Sequence, residues 1–239
     1  MTLTQLISLC RLKVPAAPAD VISDDDVTLI LNNAALEIAR KTKCLPTYAT
    51  FDTVADQIEY DLLSLISDYL CPLDEDLQRV YYYDGSDYKS LDIVTLGYLD
   101  KNHLNWQADD SADPERCVIL GDTLYLHPPA SSAITDGILF YYCKKPQSMD
   151  DTHPYPFGGA SEIPRLTPYH PILVTYYEIE ANEILDKPNK TEKAKNKYVA
   201  QLKTMMAELH KDWSAMLLKS EKTRMRLPDY GQKYGQSMF

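Results

Sequence analysis

The chain has 239 residues, of which 45% are hydrophobic and 25% are charged, enough apolar material for one large domain or two small ones. No apolar run approaches the roughly 20 residues that a bilayer-spanning helix needs. The first residues also lack the basic start and apolar stretch of a secretory signal, so we expect synthesis in the cytoplasm and no membrane partner. The formal net charge of -11 argues against a conventional nucleic-acid binder, because affinity for phosphates comes from Lys and Arg.

Charge is distributed unevenly along the chain. Residues 186–226 contain 11 Lys and Arg against 5 Asp and Glu, whereas residues 1–185 contain 12 against 29. In a monomer, the basic segment is simply a solvated helix. In an oligomer, it allows attraction between the basic segment of one copy and the acidic surface of the next. The sequence leaves both interpretations open.

The cysteines are odd in number, widely spaced and include no C-x-x-C pair of the kind that binds zinc or cycles as a dithiol. They are Cys10, Cys44, Cys71, Cys117 and Cys143. Most have Leu, Val or Tyr neighbours, so we expect buried free thiols.

A short apolar start precedes the first well-marked helix. Ser23 has the properties of an N-cap, and Asp24, Asp25 and Asp26 place negative charge in the first turn. Apolar residues then recur at spacings of three and four, which predicts an amphipathic helix that ends near Pro46. Consecutive residues point to different sides of a helix, so we interpret the aspartates as stabilising the helix dipole and not as metal ligands.

The middle of the chain changes to a strand pattern. Two β-rich runs at 48–54 and 58–62 predict a hairpin. Turn signals at Gly85 and Gly121 predict two further hairpins. The remaining predicted strands are 79–83, 117–120, 123–127 and 137–144, and the predicted short helices are 63–71 and 95–102.

Two helices are predicted after a loop at 146–168 that is rich in Pro, Gly and Ser. Thr167 and Pro168 match the N-cap and first residue of the first helix, and Pro188 ends it. The second helix has about 30 residues and a length of about 45 Å. Its apolar stripe, which we interpret as packing and not as a cofactor site, comprises Tyr198, Leu202, Met205, Leu209, Trp213 and Met216.

The final stretch, 227–239, has neither helical nor strand periodicity. It is either a frayed terminus or a tail that orders on a neighbouring protein, since aromatic residues spaced by Gly and Gln anchor an extended peptide at low entropic cost. On the second interpretation, the partner-binding residues are Arg224, Arg226, Leu227, Tyr230, Tyr234 and Phe239.

Motifs of the common enzyme classes are absent: there is no P-loop, no G-x-G-x-x-G after a strand, no G-x-S-x-G and no H-E-x-x-H. Asp109, Ser111 and Asp113 resemble the start of an EF-hand loop, but Pro114 and Leu120 replace its glycine and its glutamate. The five histidines are scattered and indicate no triad. We therefore predict no enzyme activity and no catalytic, metal-binding or cofactor-binding residues, although plentiful acidic pairs leave a glycosidase open.

The order of elements resembles a known protein family. The segments that carry the resemblance are Asn32–Arg40, Thr53–Leu62, Leu124–Pro129, Gly137–Tyr142, and Ile163–Pro164 before Tyr169–His170. Over most of residues 23–220 they are similar to the head-to-tail adaptor, or neck, proteins of tailed bacteriophages, in particular the podophage-like adaptors. Asp56 departs from the pattern, because the family's hairpin prefers Gly there. Asp tolerates left-handed backbone, so only the turn geometry is affected.

The resemblance implies an α+β fold in which a helical bundle, made of an N-terminal helix and a long C-terminal helix pair, carries a β-rich insertion. The bundle comprises 1–46 and 163–226, the insertion comprises 47–162, and 227–239 is an extended tail. The implied function is that of a structural virion protein, without cofactors, in a homo-oligomeric ring of about twelve copies between the portal and the tail or nozzle proteins. DNA passes through without specific binding, because an acidic lumen repels a duplex that carries one charge per about 1.7 Å.

Two other functions stay open. A virion-associated cell-wall hydrolase needs a cleft with two carboxylates. A tail-tube or receptor-binding tail component forms filaments or binds sugars instead of forming rings.

Overall fold

The computed structural model describes residues 1–74 and 77–222, with the backbone alone at residue 210 and from residue 212 onward. The chain divides into two compact units. Unit 1 comprises residues 1–44 and 146–239, and unit 2 comprises residues 45–145. The loop at 146–162, which the sequence grouped with the strands, therefore belongs to unit 1.

The described part of unit 1 is built from four α-helices. They are α1 (Leu3–Lys13), α2 (Asp24–Thr42), α5 (His170–Ile184) and α6 (Pro188–Lys222). Helix α2 begins where the sequence predicted, with Ser23 as its N-cap. The Ser23 hydroxyl accepts a hydrogen bond from the Asp26 N–H at 3.1 Å, and the Asp26 carboxylate accepts one from the Ser23 N–H at 3.0 Å. The Ser23 hydroxyl also donates to the Asp26 carboxylate at 2.7 Å, and this bond, with the one from the Ser23 N–H, holds the pKa of Asp26 below its usual value. The reciprocal bonds fix the start of the helix.

The first of the two C-terminal helices begins at another residue than predicted. A 3-10 helix covers Pro164–Tyr169 and α5 begins at His170, so the predicted start at Thr167–Pro168 is wrong. Pro168 has no N–H for an α-helical bond, which favours the tighter turn before His170. Pro188 is the first residue of α6, a position where the missing N–H has no helical partner in any case.

The apolar stripe of α6 is buried as predicted, as far as its side chains are described. Tyr198, Leu202, Met205 and Leu209 are all buried. Trp213 and Met216 lie outside the described side chains. The Tyr198 hydroxyl donates to Glu37 of α2 at 3.0 Å, so the stripe also ties α6 to α2.

The described part of unit 2 contains nine strands and two short α-helices. The strands are β1 (Pro46–Thr53), β2 (Glu59–Asp61), β3 (Tyr69–Pro72), β4 (Val80–Tyr83), β5 (Tyr88–Ser90), β6 (Asp92–Ile93), β7 (Arg116–Leu120), β8 (Thr123–His127) and β9 (Ile134–Lys144). The helices are α3 (Leu62–Leu65) and α4 (Leu96–Asn102), and a 3-10 helix follows at Trp106–Ala108. The helix predicted at 63–71 is wrong beyond Leu65. Tyr69, Leu70 and Cys71 are buried in succession, as in a strand covered on both faces.

The strands form two sheets. The first has the order β1-β9-β4-β5, with β3 also paired to β9, and the second has the order β2-β8-β7-β6. Strands β6 and β7 are parallel, and the other pairs are antiparallel. The hairpins β4–β5 and β7–β8 confirm the turn signals at Gly85 and Gly121, both of which have positive φ.

The hairpin predicted from 48–54 and 58–62 is wrong. Strand β1 pairs with β9 in the first sheet, and β2 pairs with β8 in the second. The turn between them therefore connects two sheets. Asp56 in this turn adopts the left-handed conformation, with φ at 63°, and its N–H donates to the Ala130 carbonyl at 2.9 Å.

Unit 2 has a hydrophobic core of its own. One cluster of buried side chains comprises Phe51, Tyr60, Leu62, Ile66, Tyr69, Val80, Tyr82, Leu91, Cys117, Leu124, Leu126, Ala130, Ile138, Phe140 and Tyr142. A smaller cluster joins Leu99, Trp106 and Val118. The chain is α+β, but its β content is substantial and the strands build their own core. The helical bundle with a β-rich insertion that the resemblance implied is therefore wrong, because the strands bury side chains among themselves and form a core that does not depend on the helices.

All five cysteines are buried and none forms a disulfide, as predicted. Burial raises the pKa of Cys10 and of Cys117 to about 12, so their reactive thiolate forms are rare at neutral pH. Among the described residues, no helix has the length and apolar character required to cross a bilayer.

Candidate interaction surfaces

The partner-binding residues that the sequence predicted lie outside the described residues. They are Arg224, Arg226, Leu227, Tyr230, Tyr234 and Phe239. The described surface has other features suited to contact with large partners: an exposed leucine on a helix of unit 1, and dense negative charge and exposed leucines in unit 2.

The first feature belongs to α1, whose outer side combines leucines with short polar side chains. Its inner side is buried through Leu3, Leu6 and Cys10. The opposite side borders a shallow, open concavity of about 310 Å³, and Leu12 there is 75% exposed. We call this side the outer face of α1, and its residues are Met1, Thr4, Gln5, Ser8, Leu9 and Leu12. The sequence analysis described only a short apolar start. The spacing of Leu9 and Leu12 was the available signal, since it places both side chains away from the inner residues.

Helix α1 is held in place at its beginning. Thr2 caps it in a reciprocal pair with Gln5, and the Leu3 N–H donates to the Pro154 carbonyl at 2.7 Å. The amino group of Met1 lies 2.7 Å from a carboxylate oxygen of Glu162, which lowers the pKa of that carboxyl. These contacts fix the direction in which the outer face points.

The other end of α1 is also anchored. The Arg11 guanidinium donates to Asp24 of α2 at 2.5 Å and to the Ala17 carbonyl at 2.9 Å. The exposed leucine on the outer face therefore belongs to a rigid helix and not to a frayed terminus.

The charge of unit 2 is strongly negative. Residues 45–145 contain 18 Asp and Glu but only 6 Lys and Arg, whereas the rest of the chain contains 17 and 18. Some acids are paired, as Asp84 is with Lys89 at 2.7 Å and Glu115 with Arg116 at 3.2 Å. Even if each cation of unit 2 neutralised one acid, 12 acids would remain. Unit 2 therefore carries all of the net negative charge of the chain, since the rest has a net charge of +1.

Exposed apolar side chains also occur at one end of the second sheet. Leu63 and Leu65 of α3 are 50% and 45% exposed, and Leu120 at the end of β7 is 54% exposed. The Leu62 N–H donates to the Asp122 carbonyl at 2.9 Å, which places α3 against the β7–β8 turn.

The structure separates the three residues that resembled an EF-hand. Asp109 contacts His127, Ser111 contacts Asp56, and Asp113 lies near Lys89. Each of the three side chains therefore has a partner of its own. The histidines, however, are not all scattered, because the ring centroids of His103 and His127 are 4.6 Å apart. Their separation by 24 positions in the sequence gave no signal of this proximity.

No family model matches the chain, and no curated protein matches it.

Proposed function

We propose that this chain is a structural virion protein, a head-to-tail adaptor, which forms a ring between the portal and the tail through which DNA passes. The observation that carries the proposal is the outer face of α1, where Leu12 is 75% exposed on a helix held at both ends. Covering this leucine would remove apolar surface from water, which favours association with another protein. The sequence resemblance to phage adaptors supports the kind of assembly.

A second copy of the same chain is the proposed occupant of the outer face. Closed rings form when each copy presents two different surfaces that fit each other. Charge supports this arrangement, because residues 186–226 carry a net positive charge while unit 2 carries 18 acids against 6 bases. Attraction between the basic segment of one copy and unit 2 of the next would set the register of the ring.

The charge of unit 2 also suits a channel for DNA. Duplex DNA carries one negative charge per about 1.7 Å of its axis, and proteins retain it by neutralising phosphates with Lys and Arg. An acidic lining lacks these contacts, so DNA slides without being held. Under the proposal, unit 2 lines the lumen.

The C-terminal tail provides the remaining contacts in this proposal. Tyr230, Tyr234 and Phe239 supply aromatic anchors, and Arg224 and Arg226 supply positive charge. The tail would bind the neighbouring copy or the portal.

Native mass spectrometry of the purified chain, alone and mixed with portal, tests the proposal. We expect a ring of about twelve copies. The variant Leu12→Glu should lower the ring population, because each 1.4 kcal/mol of lost contact weakens an interface about ten-fold. Leu29→Glu is the matched control, since Leu29 is also an exposed leucine on a helix, at 60%. A strict monomer that does not bind the portal would contradict the proposal.

Two activity measurements separate the proposal from its alternatives. The assembled ring should not retain duplex DNA at low salt, where any electrostatic affinity is greatest. The purified protein should also release no fragments from bacterial cell walls. Cell-wall cleavage would identify a hydrolase, and filaments in place of rings would identify a tail-tube component.

A further inference from the structure

Three side chains of unit 2 converge where α4, the 3-10 helix Trp106–Ala108 and β8 meet. One potential ligand atom from each of His103, Asp109 and His127 lies within 4.8 Å of the other two. The His127 Nε2 is 2.8 Å from a carboxylate oxygen of Asp109. The donors are thus two imidazole nitrogens and one carboxylate oxygen, which is a donor set typical of divalent transition-metal sites.

The backbone around these side chains is well ordered by hydrogen bonds. His103 is the C-cap of α4, and its N–H donates to the Leu99 carbonyl at 2.8 Å. Asp109 directly follows the 3-10 helix as its C-cap. His127 is the last residue of β8 and pairs with Arg116 of β7. The three residues therefore come from three separate elements, so an ion bound between them would join these elements.

Packing also restricts the His127 ring. It is only 3% exposed, and Trp106 packs edge-on against it with ring centroids 6.3 Å apart. The indole N–H of Trp106 donates to Asp100 at 3.1 Å, which keeps the indole from turning away. An imidazole locked in this manner needs little further ordering when it binds a ligand.

The polar atoms of His127 are not all satisfied by the protein. Its Nδ1 is buried and has no hydrogen-bond partner among the described residues. If Nε2 carries the proton and donates to Asp109, the lone pair of Nδ1 is left bare in the interior. If Nδ1 carries a proton, that N–H has no acceptor. Nε2 is the nitrogen that faces Asp109, so an ion held between the two side chains would bind Nε2, and Nδ1 would keep its proton.

We propose that His103, Asp109 and His127 bind a zinc ion. Zinc takes nitrogen and oxygen ligands at about 2.0–2.2 Å in tetrahedral geometry, so ligand atoms within 4.8 Å of one another need only small side-chain rotations to reach it. Asp109 has a side chain that is 41% exposed, which leaves a path for the ion and space for water as a fourth ligand. Magnesium and calcium prefer oxygen ligands and suit this set poorly.

The bound ion would tie the segment that carries His103 and Asp109 to the end of β8. Because the folded state binds zinc and the unfolded chain does not offer the same arrangement, zinc should stabilise unit 2. This effect is independent of ring formation, so it can fail without affecting the proposed function.

Isothermal titration of the full chain, dialysed against chelator, with zinc chloride tests the site. We expect one zinc per chain, a rise of the melting temperature on zinc addition and no comparable effect of magnesium. His103→Ala and Asp109→Asn should each weaken zinc binding at least about ten-fold and abolish most of the thermal shift. Both residues are more exposed than His127, so these variants should fold, which circular dichroism verifies. Cobalt should give the visible absorption of tetrahedral coordination with the wild type and not with the variants.

His153→Ala is the matched control. His153 also lies beside a carboxylate, 3.1 Å from Asp150, but its side chain is partly exposed and it does not belong to the three-residue cluster. This variant should bind zinc like the wild type. The proposal is overturned if the wild type binds zinc no better than magnesium. It is also overturned if the cluster variants retain full affinity, or if His153→Ala loses as much affinity as they do.

Discussion

The helices of unit 1 can be recognised from the local periodicity of the sequence. The strands of unit 2, by contrast, pair with segments that lie far away in the chain. Helix α2 can be recognised from Ser23 and the apolar spacing that follows it. Strand β1 cannot be placed without β9, whose Cys143 lies opposite Pro46. The two units also differ in charge, since unit 2 has 18 acids against 6 bases and the rest of the chain is nearly balanced. Local order and acidic surface therefore belong to different parts of the molecule.

The largest expected effect comes from the core of unit 2. Phe140 is fully buried, and its ring stacks on Tyr142. Phe140→Ala should lower the free energy of unfolding by about 3–5 kcal/mol, because it removes apolar contacts and leaves a cavity. Urea unfolding measures the loss. Hydrogen exchange should show it in the strands of unit 2 before the helices of unit 1.

Tyr48→Ala is the control for this experiment, because Tyr48 lies in the same sheet but is 52% exposed. It should change stability far less than Phe140→Ala. If the amides of both units lose protection from hydrogen exchange together in Phe140→Ala, the two units unfold cooperatively. The difference between them would then lie in architecture and charge and not in stability.

The second effect is a pH dependence confined to unit 1. His170 is fully buried, and burial lowers its pKa from 6.5 to about 4. Between these values the unfolded chain binds a proton that the folded chain does not. Stability is therefore complete above pH 6.5 and declines as the pH falls towards 4, by about 3 kcal/mol in total.

Urea unfolding followed by helical circular dichroism at several pH values between 5 and 7 checks this prediction. His170→Gln should flatten the dependence in that range, whatever its effect on absolute stability. His153→Gln, at a partly exposed histidine, should leave it intact. An unchanged slope in His170→Gln would show that another group causes the pH dependence.

The smallest expected effect on stability comes from Ser23, the N-cap from which the start of α2 was predicted. Ser23→Ala removes the hydroxyl that caps the helix and should cost about 1 kcal/mol of unfolding free energy. Thr28→Ala, at a partly buried position of the same helix, should change stability less than Ser23→Ala. Thermal unfolding distinguishes the two variants. If the two variants lost equal amounts of unfolding free energy, the Ser23 cap would not determine where the helix starts.

The sequence predicted those elements whose signals lie within a few residues. The start of α2, helix α4 and the β7–β8 hairpin are of this kind, and the hairpin depends on the positive φ of Gly121. The β1–β2 hairpin failed because the competing partners β9 and β8 are distant in sequence, and pattern alone carries no information on which strands pair. The start of α5 failed because the 3-10 turn before His170 follows from several prolines acting together.

The candidate surfaces were predicted even less well. The outer face of α1 required knowledge of which side of that helix is buried. The proximity of His103 and His127 follows from the position of β8 beside the 3-10 helix, which is a tertiary contact. The predicted tail residues from Arg224 to Phe239 stay a prediction, since they lie outside the described residues.

Strand β9 pairs with β1, β3 and β4, yet it is the last strand of unit 2 to leave the ribosome. Until it is synthesised, the backbone groups of the three earlier strands that face it have no partner and can pair with other nascent chains. Translation of unit 2 therefore passes through a stage at which its first sheet cannot close. Production of this protein should benefit from chaperones or slow synthesis at low temperature, because both protect unpaired strands until their central partner arrives.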